Sequence, residues 1–204
     1  ARKKIALLVG GTMLYFSVLQ RGLSQLPSAN LIIREKINNM ATQKGWEFMH
    51  ARLGEVDPKS ATRIHPNDLR RIQRALEVYE LTGIPISSWH ANSEKSTLPF
   101  RALKIALIPE ERGLLHQRIE QRFNRMLDEG FLMEVQSLYQ RNDLRSDLPS
   151  IQSVGYRQAW QYLKGSYDLE TMRDKAIVAT RQLAKRQLTW LRSETRLVNL
   201  SAEH

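Results

Sequence analysis

Cysteine is absent from this chain of 204 residues, which excludes disulfides and thiolate metal sites. Its five histidines are scattered without metal-ligand spacing. No apolar run approaches the ~20 residues needed to span a bilayer. Arg2-Lys3-Lys4 precedes only a short apolar stretch, Ile5 to Val9, with no signal-peptide cleavage site. The pattern G-x-x-x-x-G-K-[ST] is missing as well, so there is no phosphate-cradling loop with its lysine. The absences predict a soluble, cytoplasmic protein without a resident metal or a membrane partner.

Positive charge is plentiful: 31 Lys and Arg against 21 Asp and Glu, a formal charge of +10. That excess favours a polyanionic partner: nucleic acid, a phosphorylated small molecule or an anionic membrane surface. The last is disfavoured because the basic helix near the C-terminus has no opposing face of bulky hydrophobes to lie on lipid. The excess is also uneven. Residues 1–26 hold four cations and no acid, residues 151–196 hold nine cations against four acids, and residues 27–98 are nearly balanced at ten against eight.

Ile5 to Val9 reads as a strand buried on both faces of a parallel sheet. Gly10-Gly11-Thr12 stops it, and Met13 to Leu19 continues with helical composition. Arg101 to Ile108 and Arg196 to Leu200 read as further core strands. Between the first two strands, Pro27 to Leu98 shows helices and turns and no strand pattern, so it is expected to be a helical insertion. Its helices are predicted over Ile32 to Gln43, over Gly45 to Leu53, from Asp57-Pro58, and from an Asn67 or Asp68 cap to Gly83. Asn92 to Thr97 would be its return linker. Two more helices are expected around Leu115 to Leu127 and Phe131 to Tyr139.

Four segments combine residue types that suit a nucleic-acid or phosphate ligand. Thr180 to Arg192 is helical in composition, and Arg181, Lys185 and Arg192 fall within roughly 40° of one another on it. Three cations on one stripe repel one another unless an anion arrives; the alternative is a solvated basic face. Gly10-Gly11-Thr12 lies where α/β proteins place ligands, although Thr12 could equally be a helix cap. His65 to Arg74 gathers Arg70, Arg71 and Arg74 at a helix start, where guanidinium forks suit phosphates; Glu77 and Glu80 could instead offset them. Ser150 to Arg157 is a polar loop entering a helix, in which Gly155 permits an unusual backbone angle and Tyr156 and Arg157 offer stacking and an anion contact. Arg118, Arg122 and Arg125 are read as ordinary surface charges with Glu120 and Asp128 nearby.

Taken in order, several segments resemble the tRNA dimethylallyltransferase (tRNA isopentenyltransferase) family. They are Leu8-Val9-Gly10-Gly11-Thr12-Met13-Leu14-Tyr15, His65-Pro66-Asn67-Asp68 with Arg71 and Arg74 to Val78, and Leu115 to Phe123. Asp147 to Ile151 with Val154 to Gln158, and Thr180 to Gln187 with Thr189 to Arg192, complete the set. The resemblance implies an α/β fold: an incomplete P-loop-NTPase-like parallel-sheet core over residues 1–26 and 99–204, with residues 27–98 as an all-helical, tRNA-gripping insertion.

It also implies an activity. The family transfers a dimethylallyl group from dimethylallyl diphosphate to the exocyclic N6 amine of adenosine 37 of tRNA, beside the anticodon, with magnesium (Mg2+). By motif, Thr12 would bond the target amine, while Gly10, Gly11 and Arg181 would line the diphosphate and substrate channel. Contacts to the tRNA anticodon stem-loop would come from Arg34, from Arg70, Arg71, Ile72, Gln73 and Arg74, and from Gln152, Ser153, Val154, Gly155, Tyr156 and Arg157. The last group is Lys185, Arg186, Gln187, Leu188, Thr189, Trp190, Leu191 and Arg192. No metal ligand is identified. The family's phosphate-binding loop and its proposed general-base aspartate precede its GGT segment, so this chain is expected to be the C-terminal two-thirds of such an enzyme, inactive alone and monomeric. A non-catalytic RNA-binding module and a prenyltransferase of free adenine nucleotides are the alternatives.

Overall fold

A computed structural model describes residues 4–92 and 101–201. The chain divides into two compact units, Leu14–Arg101 and Ala1–Met13 with Ala102–His204. The expected division lay after residues 26 and 98. Most of the expected return linker, residues 93–97, falls outside the described residues.

Leu14–Arg101 is helical. After α1 (Met13–Arg21) come α2 (Leu31–Lys44), α3 (Trp46–Val56), α4 (Pro58–Arg63), α5 (Leu69–Thr82) and α6 (Ile86–Ala91). Side-chain caps start three of them: Asn30 accepts from Ile33, Asp57 from Ser60 and Asp68 from Arg71. Each occupies an amide that the first turn leaves without a partner. Gly83, at φ 68°, closes α5 in the left-handed conformation that favours glycine. One apolar cluster holds the unit, with Ile37 and Ala41 from α2, Met49 and Leu53 from α3, and Ile72, Ala75, Leu76 and Val78 from α5. Asp57 is buried as well, and its second oxygen accepts from the Ser87 amide at 2.9 Å, which ties α4 to α6.

The other unit is α/β. Strand β1 (Lys104–Ile108) leads to α7 (Arg112–Asp128), α8 (Phe131–Tyr139), α9 (Tyr156–Leu163) and α10 (Leu169–Ser193), and then to β2 (Leu197–Ser201). The strands pair in parallel, from Lys104 opposite Leu197 to Ile108 opposite Ser201. A parallel pair requires a crossover, and the four helices provide it. The core lies among those helices: Phe123, Phe131, Val135, Ile151, Trp160, Met172 and Ile177 are buried together. Edge-to-face rings, Phe123 on Phe131 and Phe131 on Tyr156, add directional packing.

The strand expected over Ile5 to Val9 does not form. The segment is extended and exposed, Ile5 at 98% and Val9 at 86%. Strand structure is a property of the pair, because the backbone bonds come from a neighbour, and among the described residues only β1 and β2 pair. The expected strands at Arg101–Ile108 and Arg196–Leu200 are present as β1 and β2, slightly shifted.

Candidate RNA-binding and transfer site

The glycine turn and the basic helix meet. Gln187, on the exposed half of α10, donates its side-chain amide to the Gly11 carbonyl at 2.8 Å. The approach is close: a Cβ built on Gly11 would lie 2.4 Å from the Gln187 amide nitrogen. A side chain at position 11 would therefore have to push the end of Gln187 aside and break this bond. Thr12 follows directly and is exposed. The structure thus brings together Gly10, Gly11, Thr12 and the Lys185–Arg192 segment.

Helix α10 has two halves with different tasks. Met172, Ala176, Ile177 and Ala179 bury its first half, whereas Lys185, Arg186, Thr189, Trp190 and Arg192 are exposed. Leu188 and Leu191 are half-buried on the side facing its own unit. Arg181 marks the boundary. Its Nη2 bonds Glu120 of α7 at 3.1 Å, and Arg173 takes the other oxygen of that carboxylate at 3.0 Å. Glu120 is thus spent on α10 rather than on the arginines of its own helix. The Nε of Arg181 is buried with no hydrogen-bond partner.

The loop into α9 behaves differently. Gly155 is buried with φ 93° and ψ −62°, a combination natural to glycine, and the Gln158 side chain accepts from its amide at 2.9 Å. Tyr156 is turned inward: its ring packs on Phe131 and its hydroxyl donates to Glu134. That hydrogen bond, with burial and the carboxylate charge adding to it, raises the Tyr156 hydroxyl above its ordinary range. Base stacking on Tyr156, expected from sequence, would have to share the ring with Phe131. Gln152 is half-buried and bonds the Ser146 carbonyl, Val154 is half-buried, and Ser153 and Arg157 are exposed.

In the helical unit the arginines divide. Arg34 and Arg74 both grip Glu77, which is fully buried: Arg34 Nε donates at 2.9 Å and Arg74 Nη1 at 2.8 Å. The Asn30 amide adds a bond of 2.7 Å. Burial alone would push this carboxyl up, but the bonds from Arg34, Arg74 and Asn30 hold it below its ordinary value. Arg74 also donates to the Pro27 carbonyl. Arg71 is 70% exposed beside Asp68, and Arg70 is exposed. Gln73 bonds Asn38. Ile72 is a correction to the sequence reading: at 0% exposure it is core, and no RNA can touch it. The i, i+4 spacing of an amphipathic helix turns it inward beside Ala75 and Leu76.

A sequence model of the IPP transferase family matches residues 1–194. The chain belongs to that family. It is 59% identical over 191 residues to a tRNA dimethylallyltransferase of Coxiella burnetii, covering 94% of this chain and 64% of that protein. Among solved structures it resembles the full-length tRNA isopentenylpyrophosphate transferase of Bacillus halodurans, at 32% identity and a TM-score of 0.55 over 92% of this chain and 57% of that one. A eukaryotic dimethylallyltransferase acting on tRNA matches at 28% identity and a TM-score of 0.66, over 95% and 50% respectively. This family member spans about three-fifths of the length of such relatives. Among its described residues no helix is long and apolar enough to cross a membrane. Among the described residues no three His, Asp or Glu side chains converge in one place.

Proposed function

We propose that this chain serves an enzyme that transfers a dimethylallyl group from dimethylallyl diphosphate to the exocyclic N6 amine of adenosine 37 in tRNA. The observation that carries the reading is the Gln187–Gly11 bond, which sets exposed Thr12 beside the basic half of α10. An allylic diphosphate needs its departing charge neutralised and an amine held in line. Arg181, which the resemblance puts in the diphosphate channel, is assigned the first need. The Thr12 hydroxyl suits the second by bonding the adenine amine once the base has left its stack. Lys185, Arg186, Arg192 and Trp190 then hold the anticodon stem-loop through phosphates and a stacked base. Arg70 and Arg71 supply further phosphate contacts from the helical unit, and Arg34 and Arg74 act by fixing that unit's frame.

The P-loop-NTPase-like core belongs to the same proposal. The exposed apolar side chains of Ile105, Leu107, Val198 and Leu200 and the uncovered Ile5–Val9 run suit a wider parallel sheet. Turnover is expected when a phosphate-binding segment is present with this chain, and not otherwise. Magnesium enters only as an ion carried by the diphosphate, with no residue here assigned to it. Binding of an anticodon stem-loop, an unrelated RNA hairpin and AMP, followed across salt, tests the reading. Preference for the stem-loop that AMP does not compete away supports it. Equal affinity for both hairpins sinks it.

A further inference from the structure

A groove of about 470 Å³ runs between α9 and α10, on the same unit as the glycine turn. Arg157, Tyr167, Lys175, Val178 and Gln182 line it. The Lys175 ammonium sits 5.6 Å over the Tyr167 ring. The Arg157 charge acts on the same tyrosine's hydroxyl, opposing the rise that burial causes. Two cations therefore flank one side chain, which is itself fixed by a 2.8 Å bond from its hydroxyl to the Gln158 carbonyl. Among the described residues neither cation has a carboxylate partner. Asp174, the acid of the groove, pairs with Arg173 at 3.0 Å instead. Both charges are therefore left for an anion to meet.

The groove also has a direction. Lys175 and Gln182 are seven residues apart on α10, and Arg186 is four further on, so all three fall within roughly 40° of one face. Val178 and Ala179 lie between them, and Val178 is 49% exposed, keeping the floor apolar and low. Of the basic half of the helix this face reaches Arg186, while Lys185 and Arg192 lie roughly 80–100° round from it.

We infer that the α9–α10 groove binds the ribose-phosphate backbone of RNA, with Arg157 and Lys175 holding a phosphate and Gln182 hydrogen-bonding the adjoining sugar or phosphate. The ligand surface of α10 then begins two to three turns earlier than Lys185. The inference rests on the RNA-binding reading above and extends it to Lys175 and the groove floor at Val178, which lie outside the resemblance.

The test uses the complete chain and an anticodon stem-loop, with affinity measured across salt. Lys175→Ala removes one phosphate contact, so the slope of log affinity against log salt flattens by about 0.7–0.9. Affinity near 0.1 M salt then falls about 5- to 8-fold, the size such a slope change implies. Val178→Glu puts a carboxylate on the groove floor and weakens binding further, whereas Lys175→Arg keeps the parent slope. Arg186→Ala is the separate control. If it flattens the slope while Lys175→Ala and Val178→Glu leave it untouched, the groove is empty and the RNA reading survives. If the parent chain shows no salt-dependent preference for the stem-loop, the reading and the groove fall together.

Discussion

Replacing Glu77 by Gln is the sharpest probe of how the helical unit is held. The carboxylate is fully buried and receives four bonds: from Asn30 N at 2.7 Å, Arg34 Nε at 2.9 Å, Arg34 Nη2 at 3.2 Å and Arg74 Nη1 at 2.8 Å. Glutamine preserves the shape but offers one acceptor oxygen and turns an NH2 toward a guanidinium. Breaking a buried pair from one side typically costs about 3–5 kcal/mol. Arg34 and Arg74 retain 37% and 28% side-chain exposure, so water relieves them and the lower end, about 3 kcal/mol, is expected. A second signature is pH. The folded carboxyl titrates below the ordinary value of 4.5, so its contribution is complete above that value and disappears as pH falls through the folded one. Glu77→Gln should lose that acid-side dependence. Trp46 and Trp89 lie in this unit and Trp160 and Trp190 in the other. Urea unfolding read by fluorescence in a background with Trp160 and Trp190 changed to Phe therefore reports on the helical unit. A midpoint equivalent to less than about 0.5 kcal/mol of loss, with the acid dependence unchanged, would refute the argument.

Other outcomes follow from single sites. Gly155→Ala places a Cβ at φ 93° and 3.5 Å from the Phe131 ring; a loss of about 1–3 kcal/mol in unfolding is expected, and no loss would show that the loop relaxes. Gly11→Ala must displace the Gln187 amide, so in the complete enzyme it should slow transfer, and Gln187→Ala should slow it likewise. If both substitutions together are no worse than either alone, the two act through one bond; independent effects would contradict this. Arg71→Ala and Lys185→Ala should each flatten the salt slope of stem-loop binding by about one unit, and an unchanged slope would make them ordinary surface charges. Thr12→Val should leave stem-loop affinity near that of the parent while reducing the transfer rate, and an equal rate would remove Thr12 from the chemistry.

Much of the local architecture was legible because local physics sets it. Asp68 and Gly83 bracket α5, and both were readable from residue type alone. Gly155 was marked by residue type, and its positive φ bears that out. What escaped depends on distant partners. Arg74 and Glu77 are close enough in sequence to suggest a pair, but Arg34 reaches the same carboxylate from 43 residues away. Tyr156 carries no sign in the sequence that Glu134 and Phe131 will claim it. Ile5 to Val9 has strand composition without the hydrogen-bonding neighbours that make a strand. Lys175 was passed over because it forms no cluster in the sequence; the groove that sets it beside Arg157 and Gln182 arises from α9 packing on α10.

Helix α10 is a 25-residue rod whose first half is embedded and whose second half is bare. Substitutions in the bare half leave the embedded half's packing alone. Changes that retune what the protein grips can therefore accumulate there with little risk of unfolding it.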